Sequence, residues 1–106
     1  MINYTTPTIS LTVEDIDLTG KDVYVTLEQG CNQLTKTGTQ LAISIEEADT
    51  VIDMTLTQEE SAKFDYNKNA AVQVNWISSD GVRSATDIKK IDVMRNLLDE
   101  VIEYGN

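Results

Sequence analysis

Val72-Gln73-Val74-Asn75-Trp76-Ile77-Ser78-Ser79-Asp80-Gly81-Val82-Arg83-Ser84-Ala85-Thr86-Asp87-Ile88 decides the fold. Its first half alternates: Val72, Val74 and Trp76 share one face, with Gln73 and Asn75 opposite. That period of two marks a half-buried strand. Ser79-Asp80-Gly81 follows, and Asp-Gly supplies the positive φ that a tight hairpin turn needs. Val72–Ser78 is therefore expected to pair antiparallel with Val82–Ile88. The alternation fails once: Ile88 and Ile91 lie three apart across Lys89-Lys90. A slip of one residue would flip the strand, so a β-bulge or an end of pairing is expected near Lys89.

The same period extends outward in both directions. Ile9, Leu11 and Val13 form one set. Val23, Val25 and Leu27 form another, opposite Asp22, Tyr24, Thr26 and Glu28. Leu41, Ile43 and Ile45 follow, then Ile52, Met54 and Leu56, and then Ala70 through Trp76. A last segment runs from about Val82 to Val93. Leu18-Thr19-Gly20-Lys21 and Glu28-Gln29-Gly30 read as turns. Thr37-Gly38-Thr39 reads as a hairpin joining Leu34-Thr35-Lys36 to Gln40 onward.

Two segments depart from the strand pattern. Thr57-Gln58-Glu59-Glu60 has capping-box spacing and predicts a short crossover helix from Gln58 to about Phe64. In the tail, Met94, Leu97, Leu98, Val101 and Ile102 recur at helical spacing and predict a second, C-terminal helix. Asp99 and Glu100 lie towards its C-terminal end, where the helix dipole disfavours them. The expected architecture is an immunoglobulin-like antiparallel β-sandwich of six to seven strands. It forms a single domain over 1–106, with a core at about 7–93 and an apolar tail at 94–106.

Composition narrows the function classes. Eighteen acidic residues against eight basic ones give a net charge of −10. Such a surface repels phosphate backbones and anionic lipids, so neither nucleic acid nor membrane is an expected partner. The first seven residues lack the basic and apolar regions of a signal peptide. No apolar run approaches the roughly 20 residues of a membrane span. Cys31 is the lone cysteine, so a disulfide framework is excluded.

Candidate chemistry is sparse. The chain has no histidine, which removes the commonest general base and metal ligand. Cys31 has no imidazole to activate it. Asp15-Ile16-Asp17-Leu18-Thr19-Gly20 imitates the start of a calcium loop. Its twelfth position is Thr26 where a glutamate is needed, and a polar turn explains it better. The carboxylate pairs Asp15/Asp17, Glu46-Glu47/Asp49, Glu59-Glu60 and Asp99-Glu100 read as solvated surface. No enzyme activity, cofactor or metal is expected. Trp76 reads as a core pillar, with a sugar-stacking platform as the alternative. Tyr24, on the polar face of its strand, and Tyr66, in a loop, are candidate contact residues. The chief candidate surface is the stripe Met94, Leu97, Leu98, Val101 and Ile102. It either folds back over one end of the sandwich or docks on another subunit.

Several segments, in order, resemble small phage and prophage structural proteins. Asp17-Leu18-Thr19-Gly20-Lys21-Asp22-Val23-Tyr24-Val25-Thr26 is similar to their D-L-T-G-x-x-V-x-V-T strand start. Leu34-Thr35-Lys36 is similar to their next hairpin arm, and Leu56-Thr57-Gln58-Glu59-Glu60 to their L-T-Q-E-E junction. Val72-Gln73-Val74-Asn75-Trp76 through Asp80-Gly81 resembles their V-Q-V-x-W-x-x-x-D-G hairpin, and Thr86-Asp87-Ile88 and the apolar tail also fit. The match runs over about 17–102. Asn96, Asp99 and Glu100 depart from it by making the tail more polar. The N-terminal domain of phage baseplate upper proteins suggests the same sandwich.

The resemblance implies a tail- or baseplate-associated structural protein, made in the bacterial cytoplasm and carried on the virion. Its implied partners are other phage structural proteins or further copies of itself. Two other readings fit the composition: a carbohydrate- or surface-binding immunoglobulin-like module, and an acidic inhibitor of a basic host protein.

Overall fold

Gly81 takes the left-handed φ of 84° that the Asp80-Gly81 turn demands. Ser78 and Val82 close the loop: the Ser78 N–H donates to the Val82 carbonyl at 3.0 Å, and the Gly81 N–H to the Ser78 carbonyl at 2.9 Å. This is a three-residue hairpin loop with glycine at its left-handed position. The Ser78 hydroxyl and the Val82 N–H both donate to the Asp80 carboxylate. Those two bonds hold the carboxyl below its ordinary pKa.

The structure, a computed structural model, describes residues 1–103. Eight strands and one α-helix follow in order: β1 (Thr8–Val13), β2 (Asp22–Gln29), β3 (Asn32–Thr37), β4 (Leu41–Glu46), β5 (Asp49–Thr55), α1 (Gln58–Ala62), β6 (Ala70–Ile77), β7 (Arg83–Ala85) and β8 (Lys89–Ile91). A three-stranded sheet has the order β1-β5-β4. A second sheet has the order β3-β2-β6, and β7 and β8 share the outer edge of β6. All strand pairs are antiparallel. The fold is a mainly-β sandwich with one short helix.

The expected final strand is broken into β7 and β8, so eight strands replace six or seven. Asn75 faces Ala85, and unbroken pairing would bring Ala71 opposite Lys89. Ala71 instead lies opposite Lys90. One extra residue is accommodated at Asp87-Ile88, which is a β-bulge. Thr86 shapes it. Its N–H donates to the Val74 carbonyl at 2.9 Å, but the Val74 N–H turns to the Thr86 hydroxyl at 3.1 Å. The Thr86 carbonyl so released accepts the Gln73 amide at 2.8 Å.

Thr37-Gly38-Thr39 does not form a hairpin. Gly38–Gln40 is one 3-10 turn that carries the chain from β3 in one sheet to β4 in the other. The turn chemistry was right, but the partner of β4 is β5. The second crossover is α1. Thr57 accepts from the Glu60 N–H at 3.1 Å, and Glu60 accepts from the Thr57 N–H at 2.8 Å, which completes the capping box. The helix ends at Ala62, short of Phe64.

The core lies between the inward faces. Leu18, Val25, Leu27, Ile52, Met54 and Leu56 are essentially sealed, as is Phe64. Trp76 is not the central pillar expected. It sits at the end of β6, half-buried against the core margin, and Phe64 fills the interior instead.

Five polar side chains are buried: Asn3, Gln29, Lys36, Thr50 and Ser61. Each fastens a connection or a chain end to the sandwich. Thr50 takes the Leu18 N–H at 3.0 Å and gives its hydroxyl to the Ile16 carbonyl at 2.6 Å, which pins the β1–β2 connection. Gln29 donates to the carbonyls of Asp65 (2.9 Å) and Lys68 (3.0 Å) and accepts the Asp65 N–H at 2.6 Å, which shapes the α1–β6 loop. The Ser61 hydroxyl reaches the Thr5 carbonyl at 2.7 Å. Among the described residues no buried side-chain polar atom lacks a partner. Thr50→Val keeps the volume but strands one buried N–H and one half-buried carbonyl. It is expected to cost about 2–3 kcal/mol by chemical denaturation. A loss under about 0.5 kcal/mol would mean that Thr50 pins nothing.

Lys36 is the strongest of these fasteners. It projects inward from β3, and its ammonium donates to the Thr55 carbonyl and to Glu60 Oε1, both at 2.8 Å. One side chain thus ties the second sheet to the first and to α1. Desolvation is the largest single influence on Glu60 and raises its pKa. The Lys36 hydrogen bond, the Thr57 N–H and the Lys36 charge outweigh it together, so the carboxyl lies below its ordinary value.

Candidate interaction surfaces

Val93 is the last buried residue among those described, and beyond it the chain changes character. Met94 to Ile102 forms no helix. The apolar spacing that predicted one is real, but the backbone is engaged elsewhere. Residues at the start of the chain run beside it: the Met94 N–H donates to the Met1 carbonyl at 2.6 Å, and the Asn3 N–H to the Met94 carbonyl at 3.1 Å. This is a parallel bridge centred on Ile2 and Met94.

Two amides then strap the tail down. Asn3 Oδ1 accepts the Asn96 N–H at 3.0 Å, and Asn96 Nδ2 returns a bond to the Asn3 carbonyl at 3.1 Å. Further along, Gln58 donates to the Ile102 carbonyl at 2.9 Å and accepts the Ile102 N–H at 2.8 Å. Its amide imitates the backbone of a neighbouring strand. Exposed main chain without internal partners makes a poor helix, and these four bonds fix the extended alternative.

The strap is held by its backbone while its apolar side chains face outward. Leu97 is 86% exposed, Met94 57%, Ile102 56%, Leu98 49% and Val101 39%. The fold-back expectation holds only in part: the tail returns along the sandwich, but it does not cover the core with its side chains. Ile2, also exposed, lies beside Met94 and joins the band. Single exposed apolar residues need no explanation, whereas a group of neighbouring ones is a candidate contact surface. Val101 and Ile102 line a groove with Thr6, Thr55, Leu56 and α1 residues Gln58 and Glu59.

Tyr66 belongs to this end of the molecule. Arg95, on the strap, places its guanidinium 5.8 Å from the Tyr66 ring centre, within cation–π range. Tyr24 does not belong to it. It stands on the outer face of the second sheet, in a shallow cleft with Thr35, Asn75, Trp76, Ile77 and Arg83. Arg83 lies across that face with two of its nitrogens on Asn75 Oδ1, at 3.2 and 3.4 Å. No strap residue lines this cleft.

The acidic turn at 15–22 is occupied with its own backbone. Asp17 accepts the Thr19 hydroxyl at 2.5 Å and the Thr19 N–H at 2.9 Å, which lowers its pKa in that order of effect. Among the described residues no group of three or more histidine, cysteine or acidic side chains converges on a point where a metal could sit. Cys31 is exposed in the two-residue β2–β3 loop. Among the described residues no helix is long and apolar enough to cross a membrane.

Sequence reasoning missed Asn3, Gln58 and Arg95 as parts of this end of the molecule. Their partners lie up to 93 residues away, and no local pattern signals them. No protein-family model matches the chain, and no curated protein matches it.

Proposed function

We propose that the chain is a non-catalytic structural or assembly protein of a phage tail or baseplate, working through protein–protein contact at its strap. The observation that carries this reading is the band Ile2, Met94, Leu97, Leu98 and Ile102, exposed on a backbone that is itself fastened down. A strap already held in place loses little conformational entropy when a partner covers it, so its apolar area is available for binding. The resemblance of residues 17–102 to small phage structural proteins supplies the setting. The net charge of −10 favours a partner with a basic surface around an apolar seat.

Leu97→Asp/Leu98→Asp tests it. Both side chains are solvent-facing, so the fold should change by no more than about 0.5 kcal/mol. The expected result is loss of the chain from purified particles by mass spectrometry, with the unaltered protein retained. An unaltered protein that is absent from particles and strictly monomeric by light scattering would end the proposal.

A second reading, a carbohydrate-binding module, is favoured by Tyr24. Its exposed ring stands in a cleft edged by Asn75 and Arg83, which offer hydrogen bonds beside a stacking face. Trp76 borders the same cleft, so a glycan ligand should change its fluorescence. An unchanged spectrum across a glycan panel would retire this reading.

A further inference from the structure

We infer that β4 is a self-pairing edge, through which two copies of this chain join into one continuous sheet. A strand at a sheet edge presents unpaired N–H and carbonyl groups, and proteins usually guard it with lysine, proline, a bulge or a cover. The other edges here are guarded. β7 and β8 are broken by the bulge and carry Arg83, Lys89 and Lys90. β1 starts directly after Pro7, and Lys89, Lys90 and Ile91 line a groove with its residues Thr8 to Leu11. β3 carries Lys36, anchored inward.

β4 reads Leu41-Ala42-Ile43-Ser44-Ile45-Glu46 and has none of these devices. Its inward face is incompletely covered: Ile43 is half-buried and Ile45 is 44% exposed, although both point to the core side.

The backbone alternation is favourable. The two-residue Glu47-Ala48 loop closes on the pair Glu46 and Asp49. Hydrogen-bonded pairs alternate from there, so Ser44 and Ala42 bond to β5 while Ile45, Ile43 and Leu41 turn their polar groups to the open edge. Leu41 agrees with this, because its N–H is spent on the Gly38 carbonyl and not on β5. The Ile43 and Ile45 groups and the Leu41 carbonyl are left for a partner.

A second copy fits them. With Ile43 on a twofold axis, Ile43 of each copy exchanges N–H and carbonyl with the other. Ile45 of each copy donates to Leu41 of the other. Inward residues then meet inward residues, as sheet pairing requires. Ala42 meets Ser44, and Glu46 meets Gln40, so no carboxylate opposes a carboxylate despite the acidity of the chain. An isologous contact needs such self-complementarity. The surface is separate from the strap and stands whether or not the strap reading does.

Sedimentation velocity over a rising concentration series tests the contact. The unaltered chain is expected to shift from monomer to dimer. Ile45→Lys should fold normally, since that side chain is already exposed, and should lose the dimer. Leu97→Asp/Leu98→Asp should keep it.

Register is read separately in a Cys31→Ser background. A chain with Ala42→Cys is mixed with one carrying Ser44→Cys. These two positions face each other in a non-hydrogen-bonded pair, with Cα atoms about 4.5 Å apart, close enough for a disulfide. The mixture should cross-link and each chain alone should not. A monomer at every concentration, a dimer that survives Ile45→Lys, a dimer lost with the strap variant, or equal cross-linking in the unmixed chains would each overturn the inference.

Discussion

Lys36→Ala is expected to cost about 3–4 kcal/mol, a large share of the roughly 5–15 kcal/mol that holds a small domain folded. The change removes one ammonium, takes the Lys36 bond from the Thr55 carbonyl and leaves the Glu60 carboxylate with only its Thr57 N–H, at a site where the ion-pair side chains are only 10% and 22% exposed. Breaking such a pair costs more than the pair was worth, because a charge is left behind with little water. The partial exposure of Glu60 places the figure towards the lower part of the usual range. Glu60 keeps its capping bond to Thr57, so α1 itself should persist, and the loss should appear as looser docking of α1 and β5 on β3.

The pH dependence follows from the lowered pKa of Glu60. A carboxyl whose folded pKa is depressed contributes stability above its unfolded value of about 4.3, and loses it as pH falls through the folded value. The unaltered chain should therefore lose this contribution on acidification below about pH 4.3. Lys36→Ala keeps only the Thr57 part of this contribution, so the two stability curves should draw closer at low pH, still separated by the lost bond to the Thr55 carbonyl. Equal separation of the curves from pH 7 to the acid limb would show that the lysine acts only through its packing.

Gln29→Glu, a change of one atom's identity, is expected to cost about 3–5 kcal/mol at neutral pH. The side chain is 6% exposed. Its amide nitrogen serves two carbonyls, those of Asp65 and Lys68. A carboxylate there faces both oxygens with no proton to offer. Burial raises the folded pKa of such a glutamate above its unfolded value. The penalty should be full above that raised value and shrink as pH falls towards about 4.3, opposite in sign to the Glu60 effect. Hydrogen exchange should localise the damage to residues 65–68. A variant as stable as the original at pH 7 would remove Gln29 as the organiser of that loop.

What the sequence made legible were the features decided by neighbours. The Asp80-Gly81 turn, the Thr57–Glu60 capping box and the break before Lys89 each depend on a few adjacent residues, and each is found in the structure. The misreadings came where a distant group competes. Thr37-Gly38-Thr39 turns the chain as any such tripeptide would, but whether β4 returns to β3 or crosses to β5 is settled by which sheet needs Leu41. The tail has helical spacing, yet Asn3 and Gln58 engage its backbone first. Lys36 reads in the sequence only as part of the arm Leu34-Thr35-Lys36, yet it is buried. Its answering groups, Thr55 and Glu60, lie 19 and 24 residues further on, beyond the reach of any pattern. The strap's apolar residues stand exposed, but not on the helical face that their spacing predicts.

The parallel bridge between Ile2 and Met94 has a mechanical consequence. The first residues and the strap run side by side in the same direction. A load drawn through the two ends of the described chain pulls these segments past each other, because one leaves the bridge backwards and the other forwards. The bonds from Met94 to Met1, from Asn3 to Met94 and between Asn3 and Asn96 are then strained together and not peeled one at a time. Once the Gln58–Ile102 pair has let go, tension meets this small clasp in shear.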